Sequence, residues 1–420
     1  MISAREPVAQ VLGKVVGAGS PLGIRAYDGS SSGPADADVA IDVRSPKALS
    51  YLVTAPGELG LVRAYVAGEL DLQGDVYTAL QYLSRTDVGR LSWPERMHAL
   101  RAIDPAAIRW VPPPPEEAPP GVRRSMSGLR HSKRRDAEAI SHHYDVSNQF
   151  YKWVLGTSMA YTCAVFPTVT STLEEAQYEK CDLVARKLGL REGMRLLDVG
   201  CGWGGMVIHA AKHYGVRTVG VTLSQQQAEW AQKAIAEEGL SDVAEVRFAD
   251  YRDVAEDGFD AVSSIGLTEH VGARELPAYF ACLLSKLRPG GRLLNHCITR
   301  PTTTEGVKAS GFIDRYVFPD GELVAIGHLA GVMQDAGFEV RHAENLREHY
   351  ALTLAAWCAN LDAHWDQAVA DVGIGRARVW ALYMAGSRLG FEENRIQLHQ
   401  LLGVRATAGG GSEMPLRPAW

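Results

Sequence analysis

The run Arg195–Val199, followed by four glycines within residues 200–205, constrains the fold of this chain most strongly. Its apolar and β-branched residues predict a buried strand. The glycines predict a tight turn into a helix, because glycine tolerates positive φ angles and close backbone approach. In open α/β sheets, ligands bind at such strand ends, where a helix N-terminus offers N–H groups. The run therefore predicts an α/β domain with a cofactor at this turn.

The residues around the turn favour one class of cofactor. Gly200, Gly202 and Gly205 match the G-x-G-x-x-G spacing of dinucleotide sites, which by itself is a weak signal. A nicotinamide site needs an acid about 20 residues further on to hold the ribose. The next strand, 218–224, contains none, whereas Asp198 precedes the first glycine. This arrangement favours S-adenosylmethionine over NAD.

Strand and helix patterns alternate from about residue 136 onwards. Strands are predicted at 195–200, 217–222, 244–248, 259–265 and 292–298, and helices at 173–188, 204–213, 224–238, 275–287, 351–365 and 375–402. Connections of this length predict a mostly parallel sheet with helices on both faces.

Composition divides the chain into an N-terminal block, a linker rich in prolines and basic residues, a large domain of alternating strands and helices, and a glycine-rich tail. Their predicted limits are 1–111, 112–136, 137–404 and 405–420. In the N-terminal block, strands are predicted at 24–29 and 39–43 and helices at 59–70 and 76–83. The prolines favour extended backbone, and the composition of the tail predicts disorder.

Charge and cysteine content exclude several kinds of protein. The net charge of -6 argues against a general nucleic-acid binder. Six cysteines without a C-x-x-C pair predict reduced thiols, as in a cytoplasmic protein. We see no signal peptide and no apolar run long enough to span a membrane, and we therefore expect a soluble protein.

Polar residues follow the second and third predicted strands of the large domain. Thr222 and Gln227 supply a hydroxyl and an amide that could bind a ribose. Asp250 and Tyr251 could bracket an adenine, by a hydrogen bond to its amino group and by stacking on its face. Because these clusters and the glycine turn lie at the ends of successive strands, together they indicate one cofactor site.

Glu269 and His296 lie at the ends of the fourth and fifth strands. Glu269 could hold a cationic or proton-donating group, or it could satisfy N–H groups at a helix start. His296 could be functional or a hydrogen-bonded core residue. The histidines lack zinc-ligand spacing, and the absence of G-x-S-x-G argues against a serine hydrolase. Cys163 and His296 could form a nucleophile–base pair, although the sequence does not place them together.

Nine ordered motifs resemble those of the cyclopropane fatty-acyl-phospholipid synthases, a family that includes the mycolic acid cyclopropane synthases. The resemblance runs from about 137 to 402 and extends more weakly through the N-terminal block. The motifs are His143–Asn148, Phe150-Tyr151 with Leu155-Gly156, Tyr161–Ala164, Leu197–Gly204, Thr222–Ser224, Asp250–Asp253, Glu269–Gly272, Tyr316–Gly321 and His349–Trp357.

The resemblance implies a fold, a reaction and a set of site residues. It implies a class I methyltransferase fold, Rossmann-like with a seven-stranded, mostly parallel sheet, helical insertions over the active site and a small α+β N-terminal lipid-handling domain. It also implies bound bicarbonate, held by Cys163, Glu269, His296, the backbone of Ile298, and Tyr350. The cofactor residues carried over are Tyr161, Thr162, Gly200, Gly202, Thr222, Gln227, Tyr251 and Arg252, and the strand ends add Asp198, Gly204 and Asp250.

By this resemblance, the chain is an S-adenosylmethionine-dependent C-methyltransferase acting on the cis double bond of oleoyl-type phospholipid chains. Methyl transfer leaves a carbocation, and bicarbonate then removes a proton. Leu267-Thr268 and Cys297 depart from the Met-Phe and Thr that are usual in ring-forming members. The whole chain, including the segment 26–29, also resembles more closely an actinobacterial branch of the family that methylenates oleoyl phospholipid at carbon 10, in the pathway to tuberculostearic acid. Both features favour a 10-methylene product, which a flavin-dependent reductase would then reduce. Formation of a cyclopropane ring is the alternative.

The substrate suggests a site of action. Six Lys and Arg residues without an acid between residues 123 and 135 could contact anionic headgroups at the inner face of the plasma membrane. By analogy with two-domain members we also expect a homodimer. The rival interpretations are a methyltransferase for a small molecule or a carrier-bound acyl chain, and a non-catalytic lipid-binding protein.

Overall fold

The computed structural model describes residues 6–17, 19–85, 109–117, 147–303, 311–318 and 322–420. The chain divides into two compact units, and both are discontinuous in sequence. The first takes in Met1–Arg123, Ser310–Pro319 and Trp365–Leu389, and the second takes in Arg124–Ala309, Asp320–His364 and Gly390–Trp420. The basic stretch and most of the predicted linker lie outside the described residues, so the domain limits near 111 and 137 stay a prediction.

The first unit contains a small mixed sheet with helices. Its four strands are arranged in the order β2-β1-β3-β4. The strands are β1 (Gly23–Ala26), β2 (Ser31–Ser32), β3 (Ala40–Val43) and β4 (Leu70–Gln73), and the N-terminal helices are α1 (Val8–Val16), α2 (Pro46–Thr54), α3 (Glu58–Val66) and α4 (Val76–Ser84).

A buried carboxylate joins three segments of this unit. Glu117 accepts two hydrogen bonds from Arg63, both 2.6 Å long, one of 2.7 Å from Arg315 and one of 3.0 Å from the hydroxyl of Tyr316. Burial opposes ionisation of Glu117, but these donors lower the pKa of its carboxyl. The bonds fasten residues 311–318 to α3 and residues 109–117.

The second unit is built on a seven-stranded sheet in the order β10-β11-β9-β8-β5-β6-β7. Neighbouring strands from β9 to β7 are parallel, and β10 and β11 pair antiparallel. The predicted seven-stranded, mostly parallel sheet is confirmed. The strands are β5 (Arg195–Val199), β6 (Arg217–Thr222), β7 (Ala244–Phe248), β8 (Phe259–Ile265), β9 (Leu287–Thr299), β10 (Glu339–Asn345) and β11 (Gln397–Val404).

Helices cover both faces of this sheet, and three of them begin at a Ser or Thr whose side chain accepts a backbone hydrogen bond. The helix α6, for example, starts with a capping box between Thr172 and Glu175. The helices are α5 (Asn148–Leu155), α6 (Leu173–Leu188), α7 (Gly205–Tyr214), α8 (Gln225–Glu237), α9 (Thr268–Val271), α10 (Leu276–Lys286), α11 (Ile326–Asp335) and α12 (Arg347–Ala363). Two more helices, α13 (Trp365–Val372) and α14 (Ile374–Glu392), lie almost entirely in a segment that belongs to the first unit. Among the described residues, no helix is both long and apolar enough to cross a membrane.

Two expectations about the C-terminal region are wrong. The predicted helix over 375–402 ends at Glu392, and Gln397–Val404 is instead a strand between β9 and β10. Nearly every residue of this strand is buried, so its sequence shows no alternation that separates a strand from a helix. The tail 405–420 contains no helix or strand but packs against the core through Met414 and Trp420, two apolar anchors that its glycine content obscured.

Candidate active site

A cavity of about 210 Å³ opens at the carboxyl ends of β5, β6, β7 and β8. Ten of the eleven residues predicted to bind the cofactor line it: Tyr161, Thr162, Asp198, Gly200, Gly202, Thr222, Gln227, Asp250, Tyr251 and Arg252. Gly204 does not line the cavity. It begins α7 with φ 84°, and a Cβ there would lie 3.0 Å from the Cβ of Ala231, so its role is to let α7 and α8 pack closely.

The glycine turn brings backbone to the wall of the cavity. Gly200 has φ 73° and Gly202 has φ 54°, in the left-handed region that glycine tolerates best. A Cβ on Gly200 would lie 3.1 Å from the Cβ of Leu267, which also lines the cavity. The turn therefore requires glycine for backbone conformation and for space.

A buried acid and a buried lysine lie at the same end of the cavity. Asp198 accepts a hydrogen bond of 2.6 Å from Ser263, and burial raises its pKa to about 7 although that bond and the charge of Lys180 oppose the rise. Lys180 is 4% exposed and donates to Thr162 over 3.2 Å. The sequence analysis missed Lys180. Its signal was a lysine on the apolar face of α6, a position that lysine rarely occupies without a partner.

Two further pairs of polar side chains in the cavity bind each other. The hydroxyl of Thr222 is 2.8 Å from the amide oxygen of Gln227. The guanidinium of Arg252 donates to both carboxylate oxygens of Asp250 over 2.7 and 2.6 Å, and it lies 5.2 Å from the ring centroid of Tyr251. These pairs hold a hydroxyl at the end of β6 and a carboxylate and an aromatic face just after β7.

A second polar group, outside the lining of the cavity, lies at the ends of β8 and β9. The carboxylate oxygen Oε1 of Glu269 accepts a 2.7 Å hydrogen bond from the backbone N–H of Ile298, and its Oε2 has no hydrogen-bond partner among the described residues. Burial raises the pKa of Glu269 to about 7. The N–H of Ile298, expected to hold bicarbonate, is thus directed at Glu269.

His296 is two residues before Ile298 on the same face of β9 and is 1% exposed. Its Nδ1 lies 3.2 Å from the side-chain nitrogen of Gln400, and its Nε2 has no partner among the described residues. Burial, with the charges of Lys180 and Lys187, lowers the pKa of His296. A buried polar atom without a partner costs about 1–3 kcal/mol, so two of them on neighbouring segments indicate a site for a small polar ligand.

Cys163 and Tyr350 are both buried. The thiol of Cys163 lies 3.1 Å from the backbone oxygen of Ala164, and burial raises its pKa strongly, so it remains a neutral thiol. This weakens its interpretation as a nucleophile. The ring of Tyr350 lies 6.0 Å from that of Trp357, which lies 5.4 Å from that of Tyr161. An aromatic chain therefore leads from Tyr350 to the wall of the cofactor cavity.

The three residues expected to depart from the pattern of ring-forming members, Leu267, Thr268 and Cys297, occupy different surroundings. Leu267 lines the cofactor cavity. Thr268 donates over 2.6 Å to the side-chain oxygen of Asn295, whose amide nitrogen is 3.3 Å from the sulfur of Cys297. Cys297 packs in the core on the face of β9 opposite to His296. Thr268 begins α9, the helix that carries Glu269, so its bond to Asn295 links this helix to β9.

Known proteins resemble this chain over most of its length. A family model described as Mycolic acid cyclopropane synthetase matches residues 131–401. A probable fatty acid methyltransferase of Mycobacterium tuberculosis is 55% identical over 426 residues, with 100% of both chains covered. The tuberculostearic acid methyltransferase UfaA1 of the same species is 32% identical over 401 residues, covering 92% of this chain and 88% of that protein.

A solved structure agrees with the fold. The mycolic acid cyclopropane synthase CmaA1, complexed with SAH and CTAB, matches with a TM-score of 0.60 and 33% identity, over 64% of this chain and 97% of that chain. The sheet order, the glycine turn and these similarities lead to the same assignment. This chain belongs to the mycolic acid cyclopropane synthetase family and is an S-adenosylmethionine-dependent C-methyltransferase with a class I methyltransferase fold.

Proposed function

We propose that this enzyme methylates the cis double bond of oleoyl-type phospholipid chains and forms a 10-methylene branch. The relatives named as fatty acid and tuberculostearic acid methyltransferases support a fatty-acyl substrate. The observation that carries the proposal is the pair of buried atoms without partners, Oε2 of Glu269 and Nε2 of His296. An alkene methylation needs a base that is not itself a good nucleophile, and this pair offers a place to hold one.

The residues present fit bicarbonate. Glu269, with a pKa of about 7, can present either a proton or a lone pair near neutral pH, and His296 offers one ring nitrogen. Bicarbonate has both a hydroxyl and acceptor oxygens, so it can match both groups, and when bound it supplies a weakly nucleophilic proton acceptor. Cys163 and Tyr350 complete the proposed pocket, and Ile298 contributes by holding Glu269 through its N–H. The neutral thiol of Cys163 adds no competing negative charge.

The cofactor cavity fits S-adenosylmethionine, which supplies the methyl group. Its ammonium and carboxylate groups match Asp198 and Lys180, and its adenosyl group matches Asp250, Tyr251 and Thr222. Alignment of the alkene with the sulfonium methyl supplies much of the catalysis, because well-oriented reactants avoid a large entropic cost. A positive charge on the acyl chain is costly in apolar surroundings, and the aromatic faces of Tyr350 and Tyr161 would stabilise it.

The product depends on which chain carbon carries the positive charge when the methyl group loses its proton. The alkene π pair bonds to the methyl carbon while the sulfur keeps its bonding pair, which leaves a cation on the neighbouring chain carbon. Loss of a methyl proton then closes a cyclopropane ring. Loss of the same proton after a hydride shift instead leaves a methylene group. The name of UfaA1 and the residues Leu267, Thr268 and Cys297 favour the methylene. The ring remains the second candidate, because CmaA1, at 33% identity, is named a cyclopropane synthase.

We further propose that the enzyme works at the inner face of the plasma membrane, with a flavin-dependent reductase consuming its product and a homodimer as its assembly. The six basic residues of the linker would contribute roughly 1 kcal/mol each on anionic membranes. We expect that reversing the charges of these residues abolishes sedimentation with anionic liposomes at low salt. Unchanged binding would reject membrane docking by this segment. The residues are Arg123, Arg124, Arg130, Lys133, Arg134 and Arg135.

The proposed reaction is tested by incubating the purified enzyme with labelled S-adenosylmethionine and four substrates in parallel. These are liposomes with oleoyl chains, fully saturated liposomes, oleoyl acyl carrier protein and free oleate. We expect label only in the oleoyl liposomes, and less of it in buffer stripped of carbon dioxide. Ring and methylene products have equal mass, so fragmentation and proton NMR distinguish them. Labelling of the carrier or of free acid alone would contradict the phospholipid substrate.

A further inference from the structure

A buried polar chain lies behind His296. Lys187 of α6 contacts Gln400 of β11 and Glu344 of β10, and Gln400 contacts His296. We propose that Gln400, oriented by Lys187, is a positioning residue that fixes the tautomer of His296 with its proton on Nε2. This inference rests on the proposed function, because it assigns that proton to the binding of the anion.

The sheet register brings Gln400 to His296. In the antiparallel pair of β11 and β9, Gln400 lies directly opposite His296, so their side chains share one face of the sheet. Gln400 is 1% exposed and Lys187 is fully buried. Such burial restricts both side chains to a few hydrogen-bond partners, and those partners therefore determine their orientation.

The charge of Lys187 determines which way the amide of Gln400 points. Burial lowers the pKa of Lys187, and its ion pair with Glu344 opposes that change and favours the ammonium. An ammonium has three donors and no acceptor. The Gln400 atom that lies 2.7 Å from Nζ of Lys187 must therefore be the amide oxygen. The opposite orientation would place amide hydrogens against the hydrogens of the ammonium.

The amide nitrogen of Gln400 then faces Nδ1 of His296 over 3.2 Å. An amide NH₂ group only donates, so Nδ1 must accept, and it carries no proton. In a neutral imidazole the single proton then lies on Nε2, the atom that has no partner among the described residues. Protonation of Nδ1 would place its N–H against the amide N–H of Gln400, and this contact between two donors disfavours the imidazolium.

This arrangement suits an anion beside His296. A neutral ring with Nε2–H donates a hydrogen bond to an anion oxygen, whereas the other tautomer would present a lone pair to it. The chain from Glu344 through Lys187 and Gln400 thereby selects the donor form. The pattern is the same as in metal sites, where the partner of one ring nitrogen determines which nitrogen binds the ligand.

The test compares two variants at one position in the full-length enzyme. Gln400→Glu replaces the amide donor by an acceptor and should move the proton to Nδ1. Gln400→Leu removes the donor. Gln232→Leu is the control, because it makes the same substitution at an exposed residue and removes a hydrogen bond to the backbone oxygen of Val246, away from His296. The tautomer is measured from the ¹⁵N shifts of the His296 ring, assigned by their loss in His296→Leu.

We expect Nε2–H in the wild type and in Gln232→Leu, and Nδ1–H or an imidazolium in Gln400→Glu. Both Gln400 variants should raise the KM for bicarbonate by roughly ten- to hundredfold, the range known for partners that orient metal-ligating histidines, with a smaller change in the KM for S-adenosylmethionine. Nδ1–H in the wild type, or an unaltered tautomer in Gln400→Glu, overturns the inference. Nε2–H with activity independent of bicarbonate leaves the tautomer assignment intact and refutes the proposed anion.

Discussion

The cofactor cavity and the Glu269–His296 pair lie at the same edge of one sheet, but they satisfy their polar groups differently. In the cavity, polar side chains pair with one another, as Asp198 does with Ser263, Thr222 with Gln227, and Asp250 with Arg252. Glu269 and His296 each have one partnered atom and one atom without a partner among the described residues. The first arrangement forms a rigid surface for a large ligand. The second requires a small ligand to complete it.

The largest expected effect is on turnover and separates the two regions. His296→Leu removes the proposed Nε2–H donor without touching the cavity. We expect the turnover number to fall by about 100- to 1,000-fold, as when one preorganised donor is removed. The Kd for S-adenosylmethionine, measured by calorimetry, should change less than twofold. A comparable loss in both quantities would show that the two regions are not separable.

The second prediction concerns stability and pH. The pKa of Glu269 is raised from 4.5 to about 7, so between these values the folded state binds more protons than the unfolded state. The contribution of Glu269 to stability therefore falls as pH rises from about 4.5 to 7 and stays low above that range. Glu269→Gln removes this penalty, and it should gain up to about 3 kcal/mol relative to the wild type between pH 5 and pH 8.

Thermal unfolding at both pH values in buffer without bicarbonate measures this difference. Glu237→Gln is the control, because Glu237 is 66% exposed and its change should remain within about 0.5 kcal/mol. Asp198 titrates over the same pH range, but it is present in every protein compared, so its contribution cancels in the difference. If the free energy of unfolding of Glu269→Gln changed with pH in the same way as that of the wild type, the raised pKa of Glu269 would be contradicted.

The third prediction tests the glycine turn of the cofactor cavity. Gly200→Ala introduces a Cβ at φ 73° and 3.1 Å from Leu267, whereas Gly239→Ala introduces one at φ 69° with no heavy atom within 4 Å. Both should lose about 1–2 kcal/mol of stability from backbone strain. Only Gly200→Ala should weaken cofactor binding, by about tenfold, or roughly 1.4 kcal/mol. Equal cofactor affinity in the two variants would contradict the close approach at Gly200.

The smallest expected effect is on product choice. Cys297 is a residue of β9 whose side chain faces away from His296, so Cys297→Thr should change turnover little. Its hydroxyl would compete for Asn295, which binds Thr268 beneath α9. We expect a few per cent more ring product, measured by proton NMR of the extracted lipids. If Cys297→Thr leaves the product ratio unaltered while Leu267→Met changes it, product choice is controlled by the cavity lining alone.

Much of the catalytic fold could be predicted from local patterns. The strands β6, β7 and β8 match their predicted limits, because each combines an apolar run with clear turn residues at its ends. The prediction failed at β11, where a strand buried on both faces has no alternation. That error also hid Gln400, since a residue assigned to a helix cannot be placed opposite a histidine on a strand.

The sequence alone determined the glycine turn, the alternation of β5 to β8 with helices and ten of the residues that line the cofactor cavity, because these depend on local spacing and on backbone conformations that glycine permits. Only the tertiary structure decided that Cys297 faces away from His296, that Lys180 and Lys187 are buried, and that Gln400 contacts Nδ1 of His296. The physical reason is that strand register and helix packing bring together residues far apart in the chain, and neither leaves a local pattern in the sequence.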